Sequence, residues 1–490
     1  MSDNPWATSP SHDAVMPVLT LVDDVYEGTL RLRSKHRTYL PQFHAEEDDA
    51  YIKRVQASVL FNATRRTVTT TVGKLMRRPP ALEFAGGDTD PMRAFVDDVD
   101  LQGNALHVVA KRVAERMALD GVTFVLTDYP DHRGATPISR AQHVQLGLRP
   151  YLSHIYARDL IGWRHTTVGG VEVPTQVRWI ERTEIEDGLY GVKQAERLRI
   201  LTRPLDGLGN PIPDARVRFE VWERELDTMD ETTGRQQQAG AGGMGQKIGE
   251  GEIDLTHIPI VAYYAHRTGF FRGRSQVQDL ALENIRHFQA RSAHDRGIDV
   301  GQYAMLAVSG IDEAELLTVG PFNAIRLGSD GDAKWVEISG AALDAGQRRL
   351  TEAEKIMAIE GGSQLHSETR AAETAMAKMI DQAEQDAVLG AMAESIEDSL
   401  NISLAFMAEW AGLEAPVATV NKDFNSLPAD PAWLREMREL YKEEVISRRT
   451  LQKMLVRAEA LPDDFDPVAE EEEIMSGGFA RLMPEEVTVL

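Results

Sequence analysis

Cysteine is absent, which excludes a disulfide framework and any thiolate metal site. Long apolar runs are absent too: no stretch approaches the roughly 18 consecutive apolar residues that a membrane-spanning helix needs. The segment Met1–Pro10 is polar and carries proline, with no apolar core, so it does not read as a secretory signal. The expectation is a soluble intracellular product, or one that leaves the cell only by lysis. Positive charge is in short supply. Against 77 Asp and Glu stand 53 Lys and Arg, a net charge of −24. That balance argues against a protein that holds DNA by neutralising phosphates. It suits solubility, or a like-charged wall past which a duplex slides. Neither a G-x-x-x-x-G-K-[ST] phosphate loop nor an H-E-x-x-H zinc motif occurs.

What is present is enough for a sizeable core. The chain has 490 residues, 42% of them hydrophobic, and its length points to about three domains or one elaborated domain. Tyr51–Met76 reads as a helix, with Val55, Val59, Val68, Val72 and Leu75 at roughly helical spacing. Arg77 and Arg78 suit the negative end of its dipole, and Pro79-Pro80 stops it. A second helix is expected over Ala105–Leu119, ended by Gly121 and followed by a strand, Val122–Thr127. From Tyr151 to Glu225 the pattern turns to short strands separated by turn residues such as Gly169-Gly170 and Gly209-Asn210-Pro211. The fold class is therefore α+β. Residues 230–250 form a low-complexity insertion. Its G-x-G-x-x-G match at Gly240, Gly242 and Gly245 has no strand before it and no helix opening after it, so it reads as a flexible loop.

The most informative stretch begins at Ser275. An amphipathic helix is expected over Gln276–Arg296, then a β-rich excursion with a turn at Ser329–Asp332, then a helix over Ala342–Glu360. Gly361, Gly362, Ser363, Gln364, Leu365 and His366 break the chain. A very long alanine-rich helix follows to about residue 412, with Met392, Ile396, Leu400, Leu404 and Met407 in its apolar stripe. At ~1.5 Å per residue, about 40 residues make a rod of roughly 60 Å. A chain with neither heptads nor a membrane span has little reason to build such a rod for itself, and it reads as one spoke of a symmetric assembly. Beyond it lie a short strand, Ala418–Asn421, and two helices near Pro431–Glu444 and Arg449–Glu459, the second capped by Ser447. The acidic run Glu470–Glu473 reads as solvated surface.

The order of several fragments resembles the portal proteins of tailed bacteriophages, in particular a subgroup of portals of about this length known by an uncharacterised domain. The carriers are Tyr39-Leu40-Pro41, Tyr51-x-x-Arg54, Asn62-x-x-x-Arg66-x-Val68 and Gly73–Pro80. Further on come Asp279–Ala281, Gly340–Gly362 with Met357-Ala358, the helix opening Ser367–Ala375, and Ile446–Leu451. The resemblance runs from about Tyr39 to Glu473.

This resemblance implies a ring, usually dodecameric, at one capsid vertex. On this chain it places an N-terminal wing at 1–274 and stem helices at 275–297 and 341–360. It puts a clip at 298–340, a tunnel loop at 361–369, a long wing helix at 370–412 and a helical crown with acidic tail at 413–490. Gly361, Gly362, Ser363, Gln364, Leu365 and His366 would then face the channel, and Asp330 and Trp335 would lie where the clip meets the motor. Read from residues alone, the first six are an ordinary helix–helix turn and the last two a hairpin turn and a core tryptophan. The implied partners are further copies of the chain, the terminase large subunit, the major capsid and scaffolding proteins, a head–tail adaptor and, transiently, double-stranded DNA. No membrane, cofactor, metal or catalytic residue is implied, since the motor protein supplies ATP hydrolysis. Two other classes remain open on sequence. One is an adaptor or minor capsid protein. The other is a metal-dependent enzyme, for which His287 and His294, seven apart on one helix, are the residues to watch.

Overall fold

The computed structural model describes residues 4–130, 147–225, 245–301, 305–309, 331–336, 340–361, 375–424, 431–443, 445–457, 460–461 and 465–475. They fall into two units, Met1–Asn421 and Lys422–Leu490.

The first unit opens with helices α1 (Pro10–Glu27), α2 (Thr29–Ser34), α3 (Asp48–Ala57), α4 (Ala63–Leu75), α5 (Met92–Asp97) and α6 (Leu106–Asp120), with strand β1 (Ala81–Glu83) between α4 and α5. Strands β2 (Val122–Asp128), β3 (Tyr151–Ile155), β4 (Leu160–Val168), β5 (Val171–Asp187), β6 (Gly191–Thr202), β7 (Arg218–Glu225), β8 (Gln246–Glu252) and β9 (Ile260–Tyr264) follow. A small ribbon, β10 (Arg267–Gly269) with β11 (Arg272–Gly273), leads into helix α7 (Gln278–Gly301). Then come β12 (Met305–Ser309), β13 (Asp332–Val336), α8 (Gly340–Glu360), α9 (Ala375–Ala411) and β14 (Val417–Thr419). The second unit holds α10 (Pro431–Lys442), α11 (Arg448–Arg457) and α12 (Pro467–Met475). The α+β expectation is met.

Two sheets organise the first unit. In the smaller, β2 lies between β3 and β9, antiparallel to both. Every residue of β2 is buried, the pattern of a strand covered on both faces rather than one. Both α6 and α9 pack on it. The larger sheet is an antiparallel meander, β4-β5-β6-β7-β8. Period-two alternation splits its side chains. Val177, Trp179 and Leu201 enter a core shared with Phe124, Leu160 and Phe271. Leu198 and Ile200 pack instead with Ile161 and Trp6 of the N-terminal arm, and the Arg224 guanidinium lies 4.0 Å from the Trp6 ring centroid.

Two glycines fix where the sheets meet the helices. Gly121 ends α6 in the left-handed region, φ 83°, with its N–H on the Met117 carbonyl at 2.9 Å. A Cβ there would lie 2.3 Å from the Arg274 carbonyl carbon, and one on Gly273 would lie 2.2 Å from the Gly121 oxygen. The chain entering α7 thus crosses the α6–β2 junction backbone to backbone, which only glycine permits.

Two expectations need correction, and two helices were not foreseen. Tyr51–Met76 is two helices rather than one. The chain breaks at Ser58–Asn62 because Asn62 caps α4, its Oδ1 accepting the Arg65 N–H at 2.8 Å, and Val59 is exposed instead of inward. The insertion expected at 230–250 ends sooner, since Gln246–Glu252 is an edge strand paired with β7. Finally, α1 and α2 were not foreseen. Serine 9 caps α1 and Pro10 occupies its first turn, but Pro17 inside it and buried His12, Asp23 and Asp24 hide its apolar stripe.

Candidate functional site

The candidate site is a helical hairpin and its anchorage. Helix α8 runs back along α7. The His294 ring nitrogen Nε2 lies 3.2 Å from the Leu343 carbonyl oxygen, and the His287 Nε2 lies 3.3 Å from Glu354 Oε1. Contacts pair low numbers on one helix with high numbers on the other, so the two are antiparallel. Gly346 lets them close: a Cβ there would lie 2.6 Å from the His294 ring. Strands β12 and β13 follow and precede these helices by three residues and pair antiparallel, Met305 against Val336 through Ser309 against Asp332. The helical pair therefore carries a β pair at one end.

The middle of α7, from Asn284 to Ser292, is tied to the N-terminal helices by polar contacts. Asn284 in α7, fully buried, accepts hydrogen bonds from both the N–H and the hydroxyl of Thr64, at 3.1 Å each, and donates to the Phe61 carbonyl. One turn along, Gln289 donates to the Tyr39 carbonyl at 2.9 Å. Two turns beyond Asn284, Ser292 receives the Ser58 hydroxyl at 2.8 Å and the Arg54 guanidinium at 3.3 Å. Arg54 itself is forked on Glu46, at 2.7 Å to each oxygen, and lies 4.2 Å from the Phe43 ring centroid. It also donates to the Pro41 carbonyl at 2.8 Å, while the Tyr51 hydroxyl donates to the Leu40 carbonyl at 3.0 Å. The Arg54 fork holds the Glu46 carboxyl below the usual carboxylate range, against the opposing effect of burial.

The fragments Tyr39-Leu40-Pro41, Tyr51-x-x-Arg54 and Asn62 thus converge on one place. They clamp the middle of α7, and Asn62 also donates to the Val25 carbonyl at 2.9 Å, drawing α1 into the clamp. None of these contacts arranges a nucleophile with a base. Their chemistry is that of a joint.

Helix α9, with 37 residues, runs about 55 Å at ~1.5 Å per residue. Its second half crosses the three-stranded sheet: Ser403 Oγ lies 2.9 Å from the Tyr263 hydroxyl, and the Ser399 hydroxyl donates to the Ala262 carbonyl at 3.3 Å. Met392, Ile396, Leu400, Leu404 and Met407 are buried, as the sequence stripe predicts. Asn401 pairs with the backbone of Ala418 in both directions, at 2.8 and 2.9 Å, holding β14 against β1.

Of the sequence-designated loop, Gly361 is buried and ends α8 with its N–H on the Met357 carbonyl at 2.9 Å. Gly362, Ser363, Gln364, Leu365 and His366 lie outside the described residues, as does Asp330. Trp335 sits in β13 opposite Leu306, so its backbone belongs to the β pair.

His287 and His294 take structural places. Both face α8, and burial pushes the His287 ring below its ordinary pKa despite the neighbouring Glu354. Among the described residues, no group of three or more His, Asp or Glu is placed to hold a metal ion.

A second polar cluster escaped sequence reading because its members are far apart in the chain. A cavity of about 320 Å³ is lined by Asp23, Tyr26, Arg116, Tyr156, Arg158 and Arg182, among others. Its groups largely satisfy one another. Arg116 reaches Asp23 at 3.0 Å and Asp120 at 2.9 Å, and Arg182 reaches Asp159 at 3.1 Å. The Tyr26 hydroxyl donates to Glu115 at 2.8 Å; burial, then Glu115, raises the phenol pKa to about 12. Nearby His154 is held down to about 3 by burial and by the charges of Arg116 and Arg112.

A family model described as a domain of unknown function (DUF4055) matches residues 277–411, which spans the helical hairpin, the β pair and α9 but well under half of the chain. No curated protein matches. Among solved structures, the neck of a native GTA particle computed with C12 symmetry is 12% identical over 80% of this chain and 89% of that one, with a TM-score of 0.39. The neck of an empty GTA particle computed with C6 symmetry is likewise 12% identical, over 89% and 95%, also with a TM-score of 0.39. A likeness at that level is too low to assign a fold.

Proposed function

We propose that the chain is the subunit of a phage-type portal, a ring at one capsid vertex through which double-stranded DNA enters and leaves. The observation that supports this is the hairpin α7–α8. It carries a β pair at one end, is clamped to the N-terminal helices along the middle of α7, and is followed in sequence by the α9 rod. This is the element order that the sequence resemblance to portals implies. In this reading α7 and α8 are the stem, β12–β13 part of the clip, residues 361–366 the tunnel loop and α9 the wing helix.

The exposed face of α8 fits a wall shared between neighbours. Arg348, Glu352 and Lys355 lie along it, exposed and alternating in sign, a pattern that gives neither an acidic nor a basic grip. The protein performs no catalysis in this proposal. The terminase motor docks at the clip and hydrolyses ATP, and a head–tail adaptor replaces it after packaging. Capsid and scaffolding proteins would meet the outer surface, and DNA would touch the channel only transiently.

Negative-stain electron microscopy with native mass tests this. Rings with a central hole, near twelve-fold, are expected. A compact dimer carrying stoichiometric metal would contradict the proposal and favour an enzyme.

A further inference from the structure

Among the described residues of the second unit, apolar side chains remain exposed. In α10, Leu434, Met437, Leu440 and Tyr441 recur at helical spacing; in α11, Leu451, Met454 and Leu455 do the same. The two helices pack on each other. The turn between them is fixed by Ser447, whose hydroxyl accepts the Thr450 N–H at 3.2 Å. Yet no described side chain of α10, α11 or α12 is buried, and Tyr441, Val445 and Met454 are 39%, 65% and 36% exposed. Two amphipathic helices alone cannot cover their own apolar faces.

Charge is divided unevenly over the same unit. Helix α11 reads RRTLQKMLVR, with Arg448, Arg449, Lys453 and Arg457 and no acid. Helix α12 reads PVAEEEEIM, with four consecutive glutamates and no base. The acidic helix packs substantially on neither of the other two among the described residues. Arg449 and Lys453, four apart, lie exposed on one side of α11, and on α12 Glu472 is exposed and Glu470 half-buried. Val468 at 65% exposure gives α12 an apolar contact of its own.

We infer that the basic, apolar-faced pair α10–α11 of one copy binds the acidic helix α12 of a second copy of this chain. The contact is head-to-tail: it uses two different patches, so each copy offers one to each neighbour, and repetition closes a ring. The complementary signs set orientation and register, and the exposed Tyr441, Met454 and Val468, with the half-buried leucines beside them, supply the buried area. The inference rests on the ring reading and names where neighbours touch.

The absence of native cysteine allows a direct test in the full chain. The variant carrying Lys453→Cys and Glu470→Cys, treated with a short bismaleimide, should give a ladder of covalent multimers on a denaturing gel. Adding Arg449→Glu should cut the ladder several-fold, and adding Glu472→Lys to that should restore it. Both are exposed positions, and unchanged melting temperatures would establish that the variants fold. Cross-linking confined to single chains would show that α12 folds back on its own α10–α11, and would overturn the inference. An absent ladder, or one indifferent to the charge reversals, would overturn it too. If rings are seen by microscopy while the ladder is missing, this contact fails and the portal reading stands.

Discussion

The side-chain oxygen of Asn284 accepts two hydrogen bonds from Thr64, one from its backbone N–H and one from its hydroxyl, both at 3.1 Å and both fully buried. Thr64 is in the first turn of α4, where a backbone N–H has no partner within its own helix. Helix α7 therefore caps α4, 220 residues away in sequence. Replacing Asn284 with alanine strands that N–H, while the Phe61 carbonyl keeps the Ala63 N–H at 2.9 Å. A loss of about 1–3 kcal/mol is expected, the cost of one unsatisfied buried group. Chemical denaturation should show it, with Asn284→Asp recovering only part.

Arg54 offers a second test. Its side chain is 4% exposed and that of its partner Glu46 7%. Arg54→Ala should cost about 3–5 kcal/mol, the usual consequence of leaving a buried charge unpaired. Arg54→Lys should recover little, because lysine supplies one point charge where the site holds a fork and a stacked plane.

The same pair sets part of the acid limb. Arg54 depresses the folded-state pKa of Glu46, so its contribution is present above the unfolded carboxyl pKa of about 4.3 and is lost as pH falls through the folded value. The Glu46→Gln variant should show a shallower loss of melting temperature below pH 5 than the parent chain.

His154 acts in the neighbouring window. Its folded pKa is about 3, against roughly 6.5 when unfolded. Between those values the unfolded chain binds the proton and the folded chain does not, so stability falls as pH drops below ~6.5. His154→Leu should flatten the melting-temperature profile between about pH 6 and 4. The cost at neutral pH should be small, that of its 2.8 Å contact with the Thr123 hydroxyl and its edge-on packing against the Tyr156 ring.

Gly346 tests the hairpin itself. A branched side chain there meets the His294 ring, so Gly346→Val should weaken the α7–α8 hairpin by about 1–3 kcal/mol through overpacking. Hydrogen exchange should report it as faster exchange in α7 and α8, with the five-stranded sheet unchanged.

Sequence carried the local half of this structure. Gly121 announced the end of α6 and the start of β2. The helical spacing in 276–296 and 342–360 announced the hairpin, and the stripe from Met392 to Met407 announced the buried side of α9. What it did not carry was polar and long-range. Helix α1 keeps His12, Asp23 and Asp24 inside because Arg116, Arg158, Tyr39 and Lys35 arrive there from elsewhere. The break at Ser58–Asn62 depends on partners in α7 and α1. The fragments that carry the portal resemblance were legible as residues but not as a clamp, since Asn284, Gln289 and Ser292 lie more than 200 residues away from their partners.

The central claim is that α7 and α8 form the wall of a channel. A cryo-electron microscopy map of the assembled chain at helix-resolving detail tests it most directly. The account predicts a closed ring whose hairpins run along the symmetry axis, with residues 361–366 at the inner surface and β12–β13 at one mouth. Hairpins splayed outward from the axis, or an assembly with no central opening, would contradict it.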